Sequence, residues 1–175
     1  MVTTETLDHT FQHPWSKIAL ASWHKYPHPS RPDVESVDLI RRDFDPKTGV
    51  LFTTRLMTIK YNAPPWMSRF MGKSPRAYFI EDTMIDPINK RMVMKSRNAT
   101  FDSILVLQEK ITYTADEQNG EWTKMKQEAK VTAFPYLVSK KIEEFSVKEF
   151  TQNAKKGRDL MEQAVHKIEA MNMFA

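Results

Sequence analysis

Between residues 34 and 132, apolar and polar positions form short strand-like runs, each closed by a turn signal. The runs cover 34–44, 50–59, 76–85, 91–96, 104–113 and 122–132. Asp45-Pro46-Lys47-Thr48-Gly49 and Asp86-Pro87-Ile88-Asn89 are strong turns, and Asn119-Gly120 is a hairpin-type signal. Residues 3–12 alternate roughly and add a seventh run. Consecutive strands joined by short turns predict an antiparallel meander.

Two stretches carry a helical period instead. Trp15, Ile18, Ala19, Ser22 and Trp23 recur at helical spacing after His13-Pro14, with Pro14 suited to the first helical position. This helix stops at Tyr26-Pro27-His28-Pro29, whose prolines cannot continue it. After Pro135 the period becomes helical to about residue 171, with Val138, Ile142, Phe145, Ala154, Met161, Ala164, Val165 and Ile168 on one side. Such a helix is about 50 Å long at the standard rise, longer than the sheet is wide, so it lies across the sheet or curves around it. Gly157 permits bending or a close backbone approach. Four glycines and no repeat leave no linker, so residues 1–175 read as one α+β domain: a seven-stranded antiparallel sheet, a short N-terminal helix and a long C-terminal one.

Composition narrows the function. Apolar residues at 41% and charged ones at 27% are an ordinary globular balance. No apolar run reaches the ~20 residues of a bilayer span. Residues 1–12 carry Glu5 and Asp8 and read as neither a secretory leader nor an amphipathic presequence. The absence of cysteine removes disulfides, thiolate metal sites and cysteine nucleophiles. A net charge of +4 favours acidic partners, and eleven methionines suit an irregular apolar interior. Aromatics interleaved with Lys/Arg across a sheet face are not evident, so no nucleic-acid partner is expected.

Nothing points to catalysis. The histidines, His9, His13, His24, His28 and His166, form no metal motif, and no nucleophile elbow or phosphate-binding glycine loop is present. His13 reads as a helix-start residue and His28 as a turn residue. The acidic residues on the strands read as solvent-face positions. Neither an enzyme nor a cofactor nor a bound metal is expected.

Two features remain. The insert 61–74 contains Pro65, Trp66, Met67, Phe70 and Met71, whose aromatic and methionine side chains make one apolar face on a two-turn helix. It reads either as a flap packed on the core or as a mobile lid that touches membrane, with Lys60, Arg69, Lys73 and Arg76 around it. On the long helix, projection places Asn153 inside the apolar sector and Lys156 beside its edge. A buried amide needs partners, which a polar ligand group would supply. Lys141, Lys148 and Lys155 form a separate stripe that reads as a solvated face.

Several segments also carry a family resemblance: residues 11–15 (F-Q-H-P-W), 25–29 (K-Y-P-H-P), 54–57 (T-R-L-M), 64–66 (P-P-W), 81–87 (E-D-T-M-I-D-P), Asn98 and 153–161 (N-A-K-K-G-R-D-L-M). In this order and spacing the chain resembles the PRELI family of mitochondrial phospholipid-transfer proteins over essentially its whole length. H-P-W, Lys25 and K-G-R-x-x-M followed by His166-Lys167 look closest to the slowmo subgroup. The resemblance implies a curved seven-stranded sheet whose concave side, covered by helices, encloses a lipid. It implies a headgroup site at Lys25, Asn153 and Lys156, with Lys60 a further candidate beside it, and a lid at 61–74, for which membrane contact through Pro65, Trp66, Met67, Phe70 and Met71 is the reading of the insert given above. It also implies a small helical twin-cysteine-motif chaperone as partner, an anionic membrane surface, and the mitochondrial intermembrane space.

The chain departs from the family pattern at several of these points. Tyr26-Pro27-His28-Pro29 stands for the usual Y-P-N-P, Asp33 where some members have His, and Lys25 where many have Arg. Ile59 and Asn62 replace lysines found in some relatives, leaving Lys60. Phosphatidic acid and phosphatidylserine are both open as the transferred acidic phospholipid. Phosphatidic acid rewards cationic neutralisation of its phosphate, whereas phosphatidylserine needs an added match for its ammonium, such as Asp33 or Glu149. A lipid-binding adaptor that does not transfer is the alternative.

Overall fold

A computed structural model describes residues 2–60, 76–134 and 139–172. Seven strands form one sheet: β1 (Val2–Phe11), β2 (Val34–Phe44), β3 (Leu51–Lys60), β4 (Arg76–Asp86), β5 (Arg91–Asn98), β6 (Leu105–Ala115) and β7 (Thr123–Ala133). Their order is β1-β7-β6-β5-β4-β3-β2, antiparallel throughout. The meander runs unbroken from β2 to β7, and β1 closes beside the last strand. Helix α1 (Trp15–His24) links β1 to β2, and α2 (Ser139–Asn172) follows β7.

The turns act as their residues require. Asp45 accepts from the Lys47 amide through its carboxylate (2.9 Å) and from the Gly49 amide through its carbonyl (2.8 Å). Gly49 sits at φ 71°, a left-handed conformation open to glycine at little cost. Pro14 differs slightly from expectation. It occupies the N-cap rather than the first helical position, with ψ at 146°. From there its carbonyl accepts from the Lys17 and Ile18 amides at 3.0 and 3.2 Å.

Both helices cover one face of the sheet, and the buried side chains form two clusters. The larger joins Trp15 and Ile18 of α1, Met161, Val165 and Ile168 of α2, and Phe11, Met92, Tyr113 and Met125 of the sheet. The smaller joins Ile142, near the start of α2, to Leu105, Val131 and Ala133. Each fully buried side chain of this size contributes on the order of 1.5–3 kcal/mol. Polar contacts tie the same helix down: Thr3 donates to Glu143 at 2.9 Å, and the His13 ring meets Glu162 at 2.7 Å. The middle of α2, between the two clusters, spans a gap.

Candidate functional site

That gap is a cavity of about 580 Å³ between α2 and the covered sheet face. Met57 and Ile59 of β3, Phe79 of β4, Leu107 of β6, and Phe145 and Phe150 of α2 give it apolar walls. Its floor is not apolar. Arg55, Glu81, Ser96 and Glu109 are successive cross-strand partners on β3, β4, β5 and β6, so they lie in one row. Strand geometry places the row on the covered face, because each residue shares parity with buried neighbours: Glu109 with Leu105, Ile111 and Tyr113, and Glu81 with Ala77 and Thr83. These two carboxylates correct the solvent-face reading of the strand acids.

The row divides into a structural pair and an open end. Arg55 and Glu81 are both buried; Arg55 Nε donates to Glu81 Oε1 at 2.9 Å. The same guanidinium lies 5.1 Å from the centre of the Trp23 ring, fastening the end of α1 to the sheet. Glu109 has no such cation in contact among the described residues. It accepts from Gln127 Nε2 at 2.7 Å and more distantly from Ser96 Oγ at 3.5 Å. Burial pushes its carboxyl above the usual range, against the Gln127 hydrogen bond and the charge of Lys25.

Lys25, at the C-terminal end of α1, is partly buried and lines the cavity. Its ammonium lies 5.2 Å from the centre of the Tyr26 ring. Arg31 approaches the same ring at 6.0 Å and grips Asp33 with three hydrogen bonds, at 2.8, 3.1 and 2.7 Å. That grip holds the Asp33 carboxyl below its ordinary value. Across from them, α2 presents Asn153 and Lys156 to the cavity. Asn153 is partly buried, and its amide has no hydrogen-bond partner among the described residues. Lys156 is exposed at the rim, close enough for its charge to act on Asp33.

The four cavity residues named from the sequence, Lys25, Asn153, Lys156 and Lys60, therefore line one cavity, with Lys60 exposed at the end of β3. Lys141, Lys148 and Lys155 are exposed, as their stripe suggested. The lid residues Pro65, Trp66, Met67, Phe70 and Met71 lie outside the described residues. Asn98 also lines the cavity, but its amide is spent within the chain. It donates to the carbonyls of Thr100 and Leu105 and accepts from the Leu107 amide, at 2.7, 2.7 and 2.8 Å. Arg31, Ser96, Glu109 and Gln127 were missed. Period-two parity along β6 and β7 was the signal that would have found the last two.

A sheet roofed by two helices, with apolar walls and a mixed-charge floor, defines a class of proteins that hold an amphiphilic or apolar ligand internally. Within that class, the chain belongs to the PRELI-like family, whose pattern it matches over residues 16–171. It is 42% identical over 165 residues to the "Protein slowmo homolog" of Dictyostelium discoideum, covering 94% of this chain and 72% of that one. It is 33% identical to "Protein UPS2, mitochondrial" of Saccharomyces cerevisiae, covering 85% and 66%. Against "PRELI domain-containing protein 1, mitochondrial" of Gallus gallus, identity is 29%, with coverage of 82% and 67%. The chain thus spans roughly two thirds to three quarters of these relatives' length. Among solved structures, TTHA0849 from Thermus thermophilus shares the fold at 12% identity and a TM-score of 0.62, covering 95% of this chain and 99% of that one.

Proposed function

We propose that this protein carries a single acidic phospholipid, phosphatidic acid or phosphatidylserine, between membranes of the mitochondrial intermembrane space, without catalysing a reaction. The observation that carries this reading is the 580 Å³ cavity, apolar along its walls, with Lys25 and Asn153 lining it together with a polar floor. Acyl chains lie against the walls, and the headgroup meets Lys25, Asn153 and Lys156. Each CH₂ removed from water is worth roughly 0.8 kcal/mol, so chain burial dominates affinity and the polar groups select. A surface with a net charge of +4 favours brief visits to anionic bilayers. Membership of a family with relatives named as mitochondrial supports the compartment. A small helical twin-cysteine-motif chaperone is the expected partner.

The test is native mass spectrometry of the purified full chain for co-purified phospholipid. Liposome transfer with and without the partner follows. A bound phospholipid and transfer that falls in Lys25→Ala and Asn153→Ala support the proposal. A chain that binds lipid but moves none between liposomes, with or without the partner, is an adaptor.

A further inference from the structure

We propose that Glu109, oriented by Gln127 and Ser96, selects phospholipid headgroups that carry an ammonium beside their phosphate over phosphatidic acid. This rests on the phospholipid reading of the cavity and assigns the selecting residue.

Asp33, Glu81, Glu109 and Glu149 line the cavity. Glu81 is held by Arg55, and Asp33 by the fork of Arg31. Glu149 lies on α2, where its charge acts on Arg31. Glu109 alone among the described sheet carboxylates of this cavity is held only by neutral groups, Gln127 and Ser96. Its oxygens are fixed by the strand partners, so a cation reaching it meets a positioned acceptor. The Tyr26 ring is no rival site, because Lys25 and Arg31 already approach it.

Charge then decides between ligands. Lys25 is close enough to act on Glu109, yet the two form no ion pair within 4 Å. Lys25 and Glu109 therefore present a cation and a separate anion to the same cavity. A headgroup with phosphate and ammonium matches both at once. Phosphatidic acid matches Lys25 but brings its phosphate towards a partly buried carboxylate, which costs either repulsion or a proton. Burying Glu109 ionised is unfavourable without a counter-charge, and the ligand ammonium provides it.

The experiment uses the full chain with donor liposomes of phosphatidylcholine. These hold equal fractions of phosphatidic acid and phosphatidylserine, or of phosphatidic acid and phosphatidylethanolamine. Mass spectrometry of acceptor liposomes reads the ratio transferred. Wild type favours both amine-bearing lipids. Glu109→Gln, isosteric and able to keep a hydrogen bond to Gln127, lowers that preference by roughly tenfold, the scale of one charged hydrogen bond. Glu109→Asp keeps more of the preference than Glu109→Gln, and Lys25→Ala lowers all lipids with the ratio held. An unchanged ratio in a folded Glu109→Gln protein overturns the assignment, as does a wild-type preference for phosphatidic acid. Preference for the serine lipid alone would place the selection on its carboxylate and overturn it too. If wild type transfers no phospholipid, the carrier reading itself fails, a result distinct from an altered ratio.

Discussion

The Lys25 ammonium lies against Gly157: a β-carbon built on that glycine would stand 3.6 Å from Lys25 Nζ. A methyl group fits there in ordinary contact, whereas a longer side chain competes for the space that Lys25 occupies. Gly157→Ala is expected to stabilise the protein by about 0.5–1 kcal/mol through helix propensity, measured by urea unfolding. Gly157→Leu is expected to keep the helix by circular dichroism but lower lipid transfer several-fold. Unchanged transfer in the leucine variant would show that Lys25 does not need this site.

Two asparagines line the same cavity and should respond oppositely. Asn98 makes three hydrogen bonds to backbone groups, so Asn98→Ala should cost on the order of 1–3 kcal/mol in urea unfolding. Asn153 has no partner among the described residues, so Asn153→Ala should leave stability nearly unchanged while reducing transfer. Equal losses of stability at both positions would contradict the difference in their bonding.

Arg55 and Glu81 are a buried pair, and removing one partner strands the other. Arg55→Ala should destabilise by about 3–5 kcal/mol. The Arg55→Met, Glu81→Leu double variant should be much milder. A double-mutant cycle measures the coupling, and additive losses would mean that the pair acts independently.

Glu109 gives stability a pH dependence of known sign. Burial raises its carboxyl above the ordinary range, despite Lys25, Gln127 and Ser96, and with Glu81 reinforcing the rise. Its contribution is full below the unfolded value and is lost as pH climbs through the raised folded value, because the native state must then ionise a desolvated group. Thermal unfolding between about pH 4 and about pH 8 should show Glu109→Gln gaining on wild type as pH rises. A constant gap would mean that the carboxyl does not titrate differently on folding.

Local pattern carried the strands, both helices and the place of Asn153, because each depends on periodicities of two or 3.6 residues that survive in the sequence. Lys25 and Lys60 came instead from the family resemblance. The acids show where local reading fell short. Glu109 looks like any exposed strand acid until its parity is checked against Leu105, Leu107, Ile111 and Tyr113, which share its face. Even then, parity cannot reveal that Glu81 is neutralised by Arg55 while Glu109 has only amide and hydroxyl partners. That difference depends on which strands lie side by side. The Arg31–Asp33 fork was hidden for another reason: two charges two residues apart in a proline-rich loop suggest nothing until the loop folds.

The two buried clusters that clamp α2 make it a beam resting on two supports, with an unsupported span over the cavity. Whatever occupies the cavity becomes a third support. Backbone amides around residues 149–157 should then exchange hydrogen more slowly in the loaded protein than in the empty one, and melting temperature should report occupancy. The stiffness of one helix would serve as a gauge of cargo.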